Sequence, residues 1–201
     1  MRLPNTAHTA HPWRIHEIAG DFRIDDVWAL PTPGGPDDLD RLVRQLTEDA
    51  RPYESSPVAR ALFAVRWKLG ALLGWDRSGA GTGTRVPTLL GRLPAGLRDG
   101  PRGPEAPGGP FRSLYLTHDE WASEIANRTV HAVRHIGWVP DGKGGYRGQL
   151  AVLVKPNGLL GRAYMAAIKP FRYLGVYPAM LRGIGRAWRA ETARAGCAHA
   201  D

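Results

Sequence analysis

The stretch RTVHAVRHIGWVPDGKGGYRGQLAVLVKP, Arg128 to Pro156, decides the fold. Its middle, PDGKGG from Pro140 to Gly145, gathers the residues that tight turns need, and β-branched and aromatic residues recur in the runs on either side. Two such runs about a short turn read as a β-hairpin. Upstream, FRSLYLTH from Phe111 roughly alternates, a turn falls at HDE from His118, and WASEIAN from Trp121 stays extended. Short links between successive strands imply an antiparallel sheet, because a parallel neighbour requires a long crossover. Downstream, Gly158 to about Arg194 is helical in content but interrupted by Pro170 and Pro178, which predicts two or three helical pieces or one strongly kinked helix. Sheet and helix must each bury an apolar face, and the economical arrangement is an α+β fold in which a curved antiparallel sheet wraps around a long C-terminal helix. Such curvature leaves room beneath the helix for a cavity.

The N-terminal half supplies the remaining elements. DFRIDDVWALPTP, Asp21 to Pro33, predicts a strand ended by prolines and glycines. Two shorter helices follow it. In the first, Leu39, Leu42, Val43 and Leu46 recur at helical spacing behind aspartates suited to a first turn; the second runs from Pro57 to Trp75 with Leu62, Val65 and Leu69 on its apolar stripe. RVPTLLGRLP, from Arg85, is expected to give one short edge strand. GAGTG, Gly79 to Gly83, lacks both a preceding strand and the Gly-Lys-Ser/Thr ending of a phosphate loop. The whole chain, 1–201, is expected as a single domain with a flexible N-terminus about 1–12, a Pro/Gly-rich loop about 98–110 and a polar tail about 192–201.

Strand alternation puts Thr129, His131, Val133 and His135 on one face and Val130, Ala132, Arg134 and Ile136 on the other; the pattern leaves open which face meets the interior. His131 and His135, four positions apart on one strand, stand ~13 Å from each other, so they share one ligand only if other groups converge between them. Glu124 and Asn127 are candidates for those groups, and a Glu–His pair fixes an imidazole tautomer and prepares a general base. His131, His135 and Glu124 are therefore the catalytic candidates. The competing reading is a hydrogen-bonded network that only fixes strand register. No third histidine has a defined spacing, so no metal site is expected. From the helix, Lys169, Arg172 and Tyr173 are candidates for the ligand, the two cations as anion-recognising groups. Met165, Ile168, Phe171 and Leu174 are expected to pack on the sheet, with Arg182, Arg186 and Arg189 on a solvated face. Trp67, Trp121 and Trp138 are expected in the core or the cavity wall. Ser123 has no local support as a nucleophile with either histidine.

Composition removes several classes. The net charge of +8 is spread along the chain without a dense basic run, which argues against nucleic acid. One cysteine, Cys197, makes no disulfide framework or zinc cluster. The most apolar windows, Val58–Trp75 and Gly158–Leu181, are broken by Arg and Lys, so no membrane span is expected and only weak membrane-surface contact by amphipathic helices stays open. The N-terminus lacks the apolar run of a secretory signal, and the expected location is cytoplasmic. No cofactor motif is present. Monomer and homodimer both fit.

SEIANRTVHAVRHIGWV, GQLAVLVKPNGLLGRAYMAAIKPFRYLGVYPAMLRGIGRAW and DVWALPTPG together resemble the domain-of-unknown-function 2867 family. That family is in turn similar to the START-like superfamily of polyketide cyclases and lipid carriers, which implies a helix-grip fold around a hydrophobic cavity. Fold likeness brings no activity with it. The resulting expectation is a small hydrophobic or amphipathic ligand in an internal cavity, oriented by Glu124, Asn127, His131 and His135 and by Lys169, Arg172 or Tyr173. The alternatives are a cyclase-, dehydratase- or isomerase-like enzyme using a histidine there, and an interaction module without a ligand.

Overall fold

A computed structural model of the chain describes residues 1–48, 86–107, 109–126 and 130–198. The hairpin forms β5 (Val130–Pro140) and β6 (Tyr146–Pro156), paired along their whole length from Val130↔Pro156 to Pro140↔Tyr146. Its turn needs glycine at Gly142 and Gly144, whose φ angles of 78° and 91° lie where a Cβ is strained. Asp141 Oδ1 closes the turn by accepting from the Lys143 and Gly145 amides at 2.7 and 3.1 Å.

Four more strands complete a curved, antiparallel, six-stranded sheet in the order β1-β2-β6-β5-β4-β3. They are β1 (Arg2–Leu3), β2 (Arg23–Ala29), β3 (Arg112–Leu116) and β4 (Glu120–Ala126). The register shifts between Ile24 and Asp26 in β2 and between Ser113 and Tyr115 in β3; such bulges sharpen local twist and re-aim side chains. With helices it makes an α+β fold: α1 (Thr6–Thr9), α2 (Ile15–Ile18), α3 (Leu39–Glu48), a 3₁₀ turn (Leu89–Arg92), α4 (Ala95–Arg98), α5 (Gly158–Phe171), a π turn (Arg172–Val176) and α6 (Tyr177–Ala198).

Both faces of the sheet are covered. On the helix side, Trp28, Trp121, Ile136, Trp138 and Leu150 pack with Leu39, Leu42 and Val43 of α3 and with Tyr177, Ile184 and Trp188 of α6. On the opposite side, Val27, Val133, Val139, Ala151 and Leu153 pack under Trp13, Ile15 and Ile18 of the N-terminal segment and under Leu89 and Leu93. Trp13 lies so close that a Cβ at Gly137 would stand 2.6 Å from its ring. Two buried faces account for strands that mix apolar residues on both sides rather than alternating cleanly.

Several expectations need correction. Residues 1–12, expected to be flexible, are built in: Arg2 and Leu3 pair with Trp28 and Val27, and His8 is fully buried. The segment after Arg85 gives a 3₁₀ turn instead of an edge strand, because Thr88 caps it by accepting the Leu90 amide at 3.2 Å. The C-terminal run, as expected, comes in helical pieces, Gly158–Phe171 and Tyr177–Ala198, joined by a π turn that takes up the disruption directly after Pro170. A π turn inserts about one residue and rotates the downstream helix by about 100°. Leu174, expected on the sheet, lies inside the π turn and is 84% exposed, while Met165 is buried as expected. Pro178 follows the π turn at the second position of α6, so both prolines of this run flank the irregular turn. Trp121 and Trp138 are core residues as expected, and Arg182, Arg186 and Arg189 are exposed. The Pro57–Trp75 helix, the GAGTG loop, Trp67 and Asn127 lie outside the described residues.

Candidate functional site

The curved sheet and α6 leave a cavity of about 260 Å³ between them. Trp121, Ile136, Leu150 and Val152 form its floor, Met180 and Ile184 come from α6, and Pro104, Ala106 and Phe111 close it from the Pro/Gly-rich loop. That loop is anchored: Glu105 Oε1 accepts the Ser113 amide at 2.9 Å, and Pro101 O accepts the Leu116 amide at 2.8 Å. Polar groups on this wall are few. Arg134 stands in it with its guanidinium over the rings of Phe111 and Trp121, at 4.6 and 4.5 Å, and donates from Nε to Ser123 Oγ at 3.0 Å. Arg172 and Tyr177 reach it from the helix.

Arg172 is pinned. Its guanidinium donates to Asp25 Oδ2 and Asp26 Oδ2, both at 2.6 Å, and also contacts the Tyr177 hydroxyl, which itself donates to Asp26 Oδ2 at 2.8 Å. The β2 bulge presents two consecutive aspartates to one arginine. Burial lowers and the Tyr177, Asp26 and Asp25 partners raise the Arg172 pKa, with a net rise, so the cation persists at any working pH. Tyr173 lies beside this cluster, tilted against Trp28 at 6.2 Å, with Arg2 and Lys169 over its ring; burial first and Asp26 second push its hydroxyl up to about 12.

The sheet histidines occupy the other face. His131 Nε2 meets Glu124 Oε2 at 2.8 Å, and Glu124 also takes the Leu89 amide at 3.1 Å and the Thr88 hydroxyl. His135 Nε2 meets Glu120 Oε2 at 2.8 Å. Glu120 takes in addition the Tyr115 hydroxyl at 3.0 Å and the Arg14 amide at 2.8 Å. The other nitrogen of His135 faces His8 Nε2 at 3.1 Å, and His8 Nδ1 faces His16 Nε2 at 3.0 Å. Burial pushes both carboxyls up, but hydrogen bonds from His135, Arg14 and Tyr115 to Glu120, and from His131, Thr88 and Leu89 to Glu124, outweigh it and hold both low. Burial, then the neighbouring histidines, drive His8 down to about 2, so it is neutral.

Of the residues singled out in the sequence, the fold thus unites Glu124 with His131 and places His135 two turns of the pleat along on the same face. Arg172 is set on the cavity instead, with Tyr173 and Lys169 at its outer side. Ser123 faces away from both histidines. Glu120, His8, His16, Arg134 and the Asp25–Asp26 pair were not singled out for a site. A signal existed for the first: Glu120 and Glu124 are spaced by four, as are His131 and His135, on adjacent antiparallel strands, which brings each glutamate diagonally opposite one histidine. Among the described residues no three His, Cys, Asp or Glu side chains are arranged to hold a metal ion, and no helix is long and apolar enough to cross a membrane.

No curated protein and no solved structure matches the sequence. The family described as protein of unknown function (DUF2867) matches residues 18–179, a span holding all six strands but β1 and everything that lines the cavity except Met180 and Ile184. The chain belongs to that family.

Proposed function

We propose that the protein binds a small molecule with an apolar body and an anionic or hydrogen-bond-accepting group in the cavity between sheet and α6. The observation that carries this reading is an arginine, Arg134, standing in an otherwise largely apolar wall, its guanidinium over the rings of Phe111 and Trp121. Binding sites for small molecules combine such walls with a few placed polar groups. Arg172 also reaches this space, but Asp25 and Asp26 more than balance its charge, so the reading rests on Arg134. The resemblance to START-like carriers points the same way. The histidines have a different place in this reading from the one the sequence suggested. They sit behind the sheet, and no histidine lines the cavity among the described residues, so a proton-transfer reaction in it has no imidazole to use.

An anilinonaphthalene sulfonate, an apolar body with one anionic group, serves as the probe, with tryptophan fluorescence following occupancy through Trp121. The protein is expected to bind it saturably. Arg134→Gln weakens binding about tenfold, the worth of one charge-assisted hydrogen bond. Ala132→Phe, which fills the space from the floor, abolishes it while thermal unfolding stays cooperative. Unchanged binding in both variants overturns the proposal.

A further inference from the structure

His16, His8, His135 and Glu120 form one continuous chain from the half-buried edge of α2 to a carboxylate that is 2% exposed, through His8 and His135 with no exposed surface at all. Its contacts, 3.0, 3.1 and 2.8 Å, each have room for one hydrogen. With neutral imidazoles the protons fall in a single order: His135 Nε2–H donates to Glu120, His8 Nε2–H to His135 Nδ1, and His16 Nε2–H to His8 Nδ1. Every contact then holds one proton, and His16 Nδ1 is the outer end. A first added proton enters there without breaking anything. It stays as the His16 imidazolium, or each contact hands its hydrogen one step inward until Glu120 is neutral and all three tautomers are reversed. A second proton has no such place, because some contact must then hold two hydrogens facing each other and breaks.

Half of this chain belongs to residues 5–19 and half to the sheet. The same interface carries the Arg14 amide on Glu120 and the Gln149 side chain on Ala7 O at 3.3 Å. We propose that the chain is a pH-operated latch, which holds residues 5–19 on the sheet when its imidazoles are neutral and releases them on acidification. The charged and titratable groups around it come from three elements. From α1 and the link after it come His8 and His11, the latter stacked on Trp13 at 5.0 Å; from α2 and its entry, His16 and the Arg14–Glu17 surface pair at 3.8 Å. From the sheet come His135 and Glu120, with Tyr115 and Asp119 beside Glu120. Glu120 is the one carboxylate in the chain, so a second imidazolium finds no countercharge. The His8 pKa of about 2, pushed down by burial and by its histidine neighbours, agrees with this order.

Hydrogen exchange of the full chain, followed by mass spectrometry and corrected for intrinsic rates, tests the latch. Between about pH 7 and about pH 5 protection of residues 5–19 should fall roughly 25-fold from His8 alone, the ratio set by its depressed pKa against 6.5 in the released state, while β6 amides change less. His8→Gln, with a donor and an acceptor that do not titrate, should remove that dependence. His16→Gln, at the half-buried mouth, leaves the core intact and should flatten the dependence by one titrating group, so it decides the matter if His8→Gln does not fold. Parallel loss of protection in residues 5–19 and in β6, or a dependence of the original size in either variant, overturns the proposal.

Discussion

Replacing Arg172 by methionine tests how the C-terminal helix is fastened to the sheet. Arg172 is 16% exposed at its side chain, Asp25 9% and Asp26 0%, so the substitution leaves two carboxylates in a site that water barely reaches. Removing one partner of a buried pair costs about 3–5 kcal/mol, largely because the remaining charge is stranded. Tyr177 retains its bond to Asp26 and offsets part of that, which sets the expectation at about 3 kcal/mol. Asp26→Asn alone leaves Arg172 paired with Asp25 and should cost about 1–3 kcal/mol. Because both changes remove the same interaction, Arg172→Met with Asp26→Asn should lose about 2 kcal/mol less than the two single losses combined. Urea unfolding followed by tryptophan fluorescence measures all three, since the Trp28 ring lies against Tyr177 at 4.7 Å and reports on this contact. A loss below about 1 kcal/mol for Arg172→Met, or additivity within about 0.5 kcal/mol, would refute the view that this cluster is a coupled buried unit.

Acid should unfold the protein through the histidine face. The folded His8 pKa lies below the unfolded value near 6.5, so its contribution is intact above pH 6.5 and is lost as pH falls toward about 2; by about pH 5 the loss is ~2 kcal/mol, seen as a lower urea midpoint that His8→Gln does not share. Below about pH 4.5 Glu120 and Glu124, both held low, add to the loss with the same sign. Gly137→Ala should cost about 1–3 kcal/mol by forcing Trp13 off β5, with a matching drop in Tm; an unchanged Tm would show that Trp13 moves freely. Glu124→Gln should loosen the 3₁₀ turn, since the Thr88 and Leu89 contacts lose their charged acceptor, and faster amide exchange confined to residues 86–93 is the expected signature.

Strand and helix content was legible where a local pattern carried it. Turn residues at Pro140–Gly145 determined the hairpin and hence which residues of β5 share a face, and the Leu39/Leu42/Val43 spacing gave α3. What the pattern lacked was the number of covered faces. A strand buried on one side alternates, whereas β5 carries Val133 and His135 against one layer and Ile136 and Trp138 against the other, so alternation alone assigned neither pair to the cavity. The N-terminal segment escaped notice because helices of four residues have no periodicity to read; what fixes α1 and α2 is contact with the sheet through His8, Trp13 and Ile15. Leu174 was misplaced for a related reason, since a helical stripe is projected at 3.6 residues per turn and the π turn after Pro170 breaks that count.

Polar residues in β5 would be costly if any stood alone, and none does. On one face each imidazole meets a carboxylate from β4, and on the other Arg134 meets Ser123 from β4 and two aromatic rings. A slip of β5 against β4 by one residue would turn His131 and His135 to the Arg172 side and bring Arg134 among Ile15, Leu89 and Val27, separating all three polar pairs at once. Apolar residues at these positions would pack as well in several registers. The imidazoles of β5 therefore fix the register that aligns the floor of the cavity, and the same pairs place His135 in the chain that reaches His16. One set of side chains ties the shape of the proposed ligand site to the protonation state of the opposite face.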